Sequence, residues 1–99
     1  MFRTTIRADE STDVESAISD LRNQCERANV APVVSEMIIT QVHDVLAPLV
    51  ERGRQFAEMG SQISVTRDVT GDGVSVKLIF RVNVRRSFFE RLIDAIRGQ

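Results

Sequence analysis

The segment from Ile63 to Val84 has the pattern of one β-hairpin, and it constrains the fold more than any other part of the chain. Apolar side chains alternate with mostly polar ones on both sides of the stretch Thr70 to Gly73. Strict alternation is typical of strands with one buried face. Gly and Asp tolerate the positive φ of tight hairpin turns. The sequence therefore predicts a β-hairpin over residues 62–84.

The register of this hairpin follows from its pattern. A two-residue loop at Gly71-Asp72 pairs Val69 with Val74 and sets apolar residues against each other along one face. Arg67 is the exception on that face, where its stem can pack while its head reaches water. A slip of one residue would set apolar residues opposite polar ones, so the register is well specified. Because an isolated hairpin is marginal in water, we expect helices on its apolar face and a third strand.

Residues 2–7 are the source of that third strand in one of two interpretations. They alternate between Phe, Thr or Ile and Arg or Thr. Alternation of this kind indicates a short strand added to the edge of the hairpin. The other interpretation is a loose N-terminus.

The first predicted helix begins near Thr12 and ends near Asn29. Thr12 to Glu15 has capping-box spacing, and Ser11 or Asp9 are alternative caps. The apolar residues that follow cover an arc of about 100° on a helical wheel, which indicates one buried face. They are Val14, Ala17, Ile18, Leu21, Cys25 and Ala28.

The second predicted helix starts at Pro32 and has a much wider apolar arc, of about 220°. The arc contains Val34, Met37, Ile38, Ile39, Val42, Val45, Leu46, Leu49 and Val50. Such an arc needs cover from two directions. The hairpin and the first helix supply both, or part of the arc meets a partner or a second copy. Pro48 either kinks this helix or begins a new one, and Gly60 is the predicted stop.

A third helix is predicted after the hairpin, because Ser87 to Glu90 forms a capping box and Gly98 is a stop. Its apolar face contains Phe88, Phe89, Leu92, Ile93 and Ile96. The predicted fold is therefore α+β with the order (β)-α-α-β-β-α. Three helices pack on one face of a small antiparallel sheet. We expect a single domain spanning residues 1–99.

The composition is that of an ordinary globular protein, with 42% hydrophobic and 27% charged residues. A net charge of −1 favours neither nucleic acid nor an acidic membrane as a partner. The single Cys25 cannot form an internal disulfide, which suits a reducing compartment. We find no signal-peptide pattern and expect no stretch long enough to span a bilayer. These features predict a cytoplasmic protein without a membrane partner.

Residues with catalytic or metal-binding chemistry are few. His43 is the only histidine and lies beside acidic residues, which is typical of a surface position. Cys25 falls within an apolar stripe and is expected to be an inert, buried thiol. Asp68 to Gly73 has the spacing of half a calcium loop, but the twelfth position is Ile79 instead of Glu. The sequence therefore predicts no enzyme, no cofactor and no metal site.

A basic C-terminal region suggests nucleic acid as one possible ligand. Six basic and two acidic residues between Ser75 and Gln99 give it a formal charge of +4. The candidate contacts are Lys77, Arg81, Arg85 and Arg86. The predicted element order resembles, in topology only, one class of KH RNA-binding domain. Those domains clamp RNA with a Gly-x-x-Gly loop between their first two helices, whereas residues 27–32 contain no glycine here.

The leading hypothesis from the sequence is a non-catalytic protein-interaction module that self-associates or binds another protein. It rests on the wide arc of the second helix and on open sheet edges. The candidate interface residues, at the margins of that arc, are Met37, Ile39, Leu46 and Val50. The alternative hypothesis is a small nucleic-acid-binding domain that uses the basic C-terminal residues.

Overall fold

The computed structural model describes residues 1–83 of the chain. These residues form two helices and a three-stranded sheet. The elements are β1 (Phe2–Ala8), α1 (Val14–Arg27), α2 (Pro32–Glu58), β2 (Ser64–Gly71) and β3 (Val74–Arg81). This order confirms the α+β class. The predicted third helix, Ser87 to Gly98, lies outside the described residues, as do Arg85 and Arg86.

The sheet has the strand order β1-β3-β2, with β3 in the centre. β2 pairs with β3 antiparallel, and β1 pairs with β3 parallel, from Phe2 opposite Val74 to Ala8 opposite Phe80. The strand interpretation of residues 2–7 is thus confirmed, but the prediction of an antiparallel sheet is wrong. Two helices joined by a short loop return the chain to the end where β1 finished. β2 therefore runs against β1, and β3 runs with it.

The hairpin turns one residue later than predicted. Asp72 and Gly73 occupy the loop with φ values of 50° and 84°, which is typical of a type I′ turn. Val69 consequently pairs with Val76, and the predicted pairing with Val74 is wrong by two residues. A shift of two leaves every side chain on its predicted face, because strand side chains alternate with a period of two. Turn chemistry therefore decides the register.

Asp13 caps α1, in place of Thr12 or the two alternatives that the sequence suggested. Its carboxylate accepts hydrogen bonds from the backbone N–H of Glu15 at 3.2 Å and from Ser16 Oγ at 2.8 Å. Thr12 is used differently, because its Oγ1 accepts from the backbone N–H of Asp9 at 2.9 Å. The capping box is therefore displaced by a cap one residue further along the chain.

α2 is one continuous helix with Pro48 inside it, so Pro48 does not begin a new helix. Its end is a Schellman motif around Gly60, which has a φ of 75°. The Gly60 N–H donates to the Ala57 carbonyl at 3.2 Å, and the Ser61 N–H donates to the Phe56 carbonyl at 2.9 Å. The predicted stop at Gly60 is thereby confirmed.

The core lies between the helices and one face of the sheet. Its fully buried side chains come from both helices and from the central strand: Leu21, Cys25, Ile38, Val42, Leu46, Val76, Leu78 and Phe80. Central β3 buries every second side chain, which explains why apolar residues alternate most regularly in this part of the sequence. The outer strands bury fewer side chains.

α2 is also long and apolar enough to cross a bilayer by length and composition, with 27 residues and a mean hydropathy of 1.4 in its most apolar window. The expectation that no stretch reaches this length is therefore wrong. The helix nevertheless packs Ile38, Val42 and Leu46 into the core, where each is fully buried. A core helix of this kind passes the same test of length and composition.

Candidate functional site

Three of the four predicted interface residues lie in the core. Ile39, Leu46 and Val50 are 4%, 0% and 3% exposed, whereas Met37 is 38% exposed. The prediction of Ile39, Leu46 and Val50 as surface residues is therefore wrong. The sheet covers one side of the apolar arc of α2 and α1 covers the other, so most of the arc is satisfied within the chain.

The opposite side of the sheet carries neither helix and is a polar surface among the described residues. We call it the outer face. It is formed by Arg3, Thr5 and Arg7 of β1, by Ser75, Lys77, Ile79 and Arg81 of β3, and by Ser64, Thr66, Asp68 and Thr70 of β2. Its members follow from alternation, since their neighbours along each strand point into the core.

The outer face gathers four cations and one carboxylate. The cations are Arg3, Arg7, Lys77 and Arg81, and all four side chains are exposed. Within residues 1–83, none of them has a carboxylate oxygen within 4.0 Å. Asp68 is opposite Lys77 in the strand register, yet it forms no ion pair of that length. The face therefore offers cationic groups that form no close ion pair with other parts of residues 1–83.

Charge is divided between the two sides of the protein. The outer face has four basic residues and one acidic residue, a formal charge of +3. α1 and α2 together have seven acidic and four basic residues, a formal charge of −3. A polyanion is therefore attracted to the sheet side and repelled from the helix side, over distances of about a Debye length, roughly 8–10 Å.

The outer face has two shallow depressions, and each is lined by two of the four cations. The larger, of about 670 Å³, lies near the hairpin turn, and its lining includes Arg3 and Lys77 together with Asp68 and Asp72. The other, of about 250 Å³, includes Arg7 and Arg81 together with Asp9. Four residues along a strand span about 13 Å, so the two pairs lie about that far apart.

The predicted nucleic-acid residues divide accordingly. Lys77 and Arg81 do lie together on one surface, as their alternation on β3 indicated. Arg85 and Arg86 lie outside the described residues. Arg3 and Arg7 were not predicted as members of this site, because they join it only through the pairing of β1 with β3. The signal was present in the alternation of residues 2–7.

A hydrogen-bonded cluster holds the far end of the outer face. Asn83 donates from Nδ2 to Asp9 Oδ2 at 3.2 Å and from its backbone N–H to Glu10 Oε2 at 3.0 Å. Ser11 Oγ donates to Asp9 Oδ1 at 2.7 Å, and this bond does most to lower the pKa of Asp9 below its ordinary value. The cluster ties Asn83, two residues after β3, to the turn after β1.

The residues considered for catalysis are not brought together as a reactive pair. His43 is half-exposed on α2, with Nε2 3.8 Å from Glu15 Oε1 and Nδ1 3.9 Å from Asp44 Oδ1. Both distances exceed hydrogen-bond length. Cys25 is fully buried in the core. Over residues 1–83 there is no group of three or more His, Cys, Asp or Glu positioned to hold a metal ion.

One partly apolar surface lies between α2 and β2. We call it the α2–β2 strip and define it by Val45, Pro48, Leu49 and Arg67, which line a depression of about 270 Å³. Val45 and Leu49 are only partly buried, and Pro48 is exposed. Arg67 is the polar member of the inward face of β2, so it marks where helix cover ends. Val45 and Leu49, with Val34 and Met37, are the members of the apolar arc that are not fully buried.

No protein-family model matches the chain, and comparisons with curated proteins and with solved structures find no match. Similarity therefore assigns no family. The surfaces described above are the basis for inferring the function.

Proposed function

We propose that this protein is a non-catalytic binding module whose outer face holds the phosphate backbone of a nucleic acid. The observation that carries the proposal is the set of four exposed cations on one side of the sheet, none of which has a carboxylate oxygen within 4.0 Å among residues 1–83. Exposed arginines are normally accompanied by acids when they serve only solubility. Cations left together on one face are the usual electrostatic footprint of a phosphate-binding surface.

The spacing of the cations suits a ligand with repeated charges. The pair of Arg3 and Lys77 and the pair of Arg7 and Arg81 lie about 13 Å apart. Duplex DNA carries one charge per about 1.7 Å of its axis, so such a length presents several phosphates. A single phosphate could engage only one of the two pairs, and the proposal is therefore for a polymer.

The outer face offers no platform for stacking bases within the described chain. Phe2 and Phe80 belong to the opposite, core-facing side of the sheet. Ile79 is the only large apolar side chain on the outer face. Without an aromatic platform or a convergent set of base-reading groups, recognition is expected to follow the backbone and to show little sequence preference.

Fluorescence anisotropy with labelled oligo(dT) and a labelled mixed-sequence RNA, each of about 20 nucleotides, tests this proposal. Four phosphate contacts on a single strand give a slope of log K against log salt of roughly −2.8. The double variant Arg3→Gln/Arg7→Gln removes two contacts and should reduce the slope to roughly −1.4. These two residues are the sharpest choice because the sequence alone did not place them in the site.

A matched control removes the same charge elsewhere. Arg27 and Arg52 are exposed on the helices, and Arg27→Gln/Arg52→Gln lowers the net charge by the same amount. This control should keep a slope near that of the wild type. Equal losses in both double variants would show that only net charge matters. The absence of salt-sensitive binding at tens of micromolar protein would remove the proposal altogether.

Self-association is the second candidate, and the α2–β2 strip is the observation that favours it. The strip places partly exposed Val45 and Leu49 beside an outer edge of the sheet. Open edges and exposed apolar groups both favour association. Light scattering over a hundredfold concentration range should then show a dimer or larger assembly that Leu49→Glu dissociates.

The control for that experiment is Val33→Glu, because Val33 is 83% exposed on the same helix and away from the strip. It should leave the mass unchanged. A wild-type chain that stays monomeric over the whole concentration range would refute self-association. That result would leave the nucleic-acid proposal unaffected, since it concerns the other side of the sheet.

A further inference from the structure

The outer edge of β1 is a row of backbone groups without partners among residues 1–83. The Phe2 N–H donates to the Gly73 carbonyl at 2.9 Å, so the even-numbered residues of β1 point their N–H and C=O groups at β3. In a parallel pair, the odd-numbered residues then point theirs away from the sheet. Arg3, Thr5 and Arg7 therefore present three N–H donors and three C=O acceptors along this edge.

A groove lies between this edge and α1. It has a volume of about 370 Å³ and is lined by Thr5, Ile6 and Arg7 on one side and by residues of α1, its N-cap Asp13 and Thr12 on the other. One hydrogen bond connects β1 to α1 beside the groove, because Thr4 Oγ1 donates to Gln24 Oε1 at 2.6 Å. Within α1, Gln24 Nε2 donates to Asp20 Oδ2 at 3.1 Å, which orders the wall on that side.

The α1 wall of the groove is acidic. Asp13 and Asp20 both line it, and neither has a cationic partner within 4.0 Å in the described chain. The hydrogen bond from Ser16 lowers the pKa of Asp13, so this carboxylate is charged at neutral pH. Asp20 follows Asp13 by seven positions, which corresponds to a rise of about 10.5 Å along the helix.

We propose that this groove accepts an extended segment of another protein that adds to β1 as a fourth strand and carries Lys or Arg at alternate positions facing α1. The edge supplies backbone hydrogen bonds, which give affinity, and the acidic wall selects the side chains. Alternate residues on a strand repeat every 6.6 to 6.8 Å or so, and flexible basic side chains bridge from these positions to two carboxylates about 10.5 Å apart.

A second copy of the chain fits this groove poorly when the two β1 strands pair antiparallel and both sets of helices lie on the same side of the joined sheet. In that arrangement the side chains that β1 presents to the acidic wall are Phe2, Thr4, Ile6 and Ala8, and none of them is basic. Pairing two copies of β1 would also bring a second α1, with the same aspartates, toward the first. Like charges placed in this way oppose association. Charge complementarity therefore favours a basic foreign segment.

The test uses the full-length protein and the peptide acetyl-Thr-Lys-Thr-Lys-Thr-Lys-Thr-amide, with a Thr-Glu peptide of equal length as control. NMR titration should show binding of the lysine peptide only. Amide hydrogen exchange at Arg3, Thr5 and Arg7 should slow in the complex, because strand addition occupies these N–H groups. Asp13→Asn/Asp20→Asn should weaken binding on the order of fivefold, as expected for two exposed ion pairs.

Two matched variants separate strand addition from general attraction. Thr5→Pro removes an outward N–H at the centre of β1 and should abolish binding, whereas Thr66→Pro makes the same change on the outer edge of β2 and should not. Glu26→Gln/Glu51→Gln removes two exposed charges outside the groove and should leave the affinity unchanged.

Three results would overturn the proposal. The first is no binding at on the order of 1 mM peptide, the weak end of specific recognition. The second is binding without slower exchange at the three amides, which would mean attraction to the acidic helices only. The third is slower exchange that increases with protein concentration in the absence of peptide, which would assign the edge to a second copy.

Discussion

Gly53 is the position where one added carbon should reveal how closely α2 packs on the sheet. It is buried in α2, and a Cβ built on it would lie 2.6 Å from Cζ and 3.2 Å from Cε1 of Phe80. The same Cβ would lie 3.3 Å from Cβ of Glu10. Contacts below 3.0 Å essentially never occur for a Cβ, so either the ring or the helix must move in Gly53→Ala.

Two opposing effects set the size of the change in stability. Alanine is a better helix former than glycine by about 1 kcal/mol. Overpacking a filled core costs about 1–3 kcal/mol, and Phe80 is only 1% exposed, so its ring has little room to yield. We therefore expect Gly53→Ala to lower the free energy of unfolding by up to about 2 kcal/mol.

A double-mutant cycle isolates the clash. Leucine has no Cζ, so in the background Phe80→Leu the substitution Gly53→Ala should raise the free energy of unfolding by up to about 1 kcal/mol. Urea unfolding followed by circular dichroism gives all four free energies, with equal m values as the condition for comparing them. Stabilisation by Gly53→Ala in the wild type would refute the reasoning. So would additivity within about 0.5 kcal/mol.

Three other predictions follow from the structure. Leu46→Arg buries an unpaired charge at a cost of about 4 kcal/mol or more and should unfold the chain. Met37→Arg, at an exposed position, should change the free energy of unfolding by only about 0.5 kcal/mol. Thermal melts measure both effects. Hydrogen bonds lower the folded-state pKa of Asp9 and Asp13, so their stabilisation is present above about pH 4 and lost as pH falls through the folded values. Asp9→Asn/Asp13→Asn should therefore flatten the acid side of the pH–stability curve. Gly73 has a φ of 84° with open space around it, so Gly73→Ala should cost about 1–2 kcal/mol from backbone strain alone.

Each of these predictions has an outcome that contradicts it. A folded Leu46→Arg protein would mean that the second half of α2 is not part of the core. An acid transition that is unchanged in the Asp9 and Asp13 variant would mean that the hydrogen bonds to these two carboxylates do not contribute to stability. A neutral Gly73→Ala would mean that the turn is not held in the type I′ conformation.

Hydropathy periodicity was enough to predict which face of each strand is buried, but not the sheet register. Both hairpin registers put Val69 and Val76 on the same side, so alternation could not separate them. The Asp72-Gly73 pair could have done so, because type I′ turns favour that dipeptide. A pattern that repeats every two residues cannot distinguish two registers that differ by a shift of two residues.

The width of the apolar arc on α2 correctly predicted that the helix is covered on two sides. It did not predict which residues of the arc are exposed. A helical wheel shows that such a helix needs cover on two sides, and the sheet and α1 supply it. The wheel does not show which residues of α2 pack against the sheet and which pack against α1. Ile39 and Val50 therefore appeared marginal although they are buried, while Val45 and Leu49 reach the surface beside β2.

Only two of the four cations on the outer face could be predicted from the sequence, for a related reason. Lys77 and Arg81 share a strand, and local alternation is enough to place them together. Arg3 and Arg7 join them only because β1 pairs in parallel with a strand far along the chain. Long-range pairing depends on how two helices return the chain, and one-dimensional patterns carry little information about that.

The parallel pairing of β1 with β3 also sets an order of events during folding. Phe2 pairs with Val74, 72 residues later, whereas the two strands of the hairpin are joined by a two-residue loop. Closing the longer loop costs roughly 4 kcal/mol of chain entropy by the logarithmic rule, so we expect the hairpin and helices to form before β1 docks. At about 5–20 residues per second, a ribosome needs some 4–14 s to make those intervening residues. We therefore expect the first strand of this sheet along the chain to dock last, and until it docks, the central strand of the sheet is an edge.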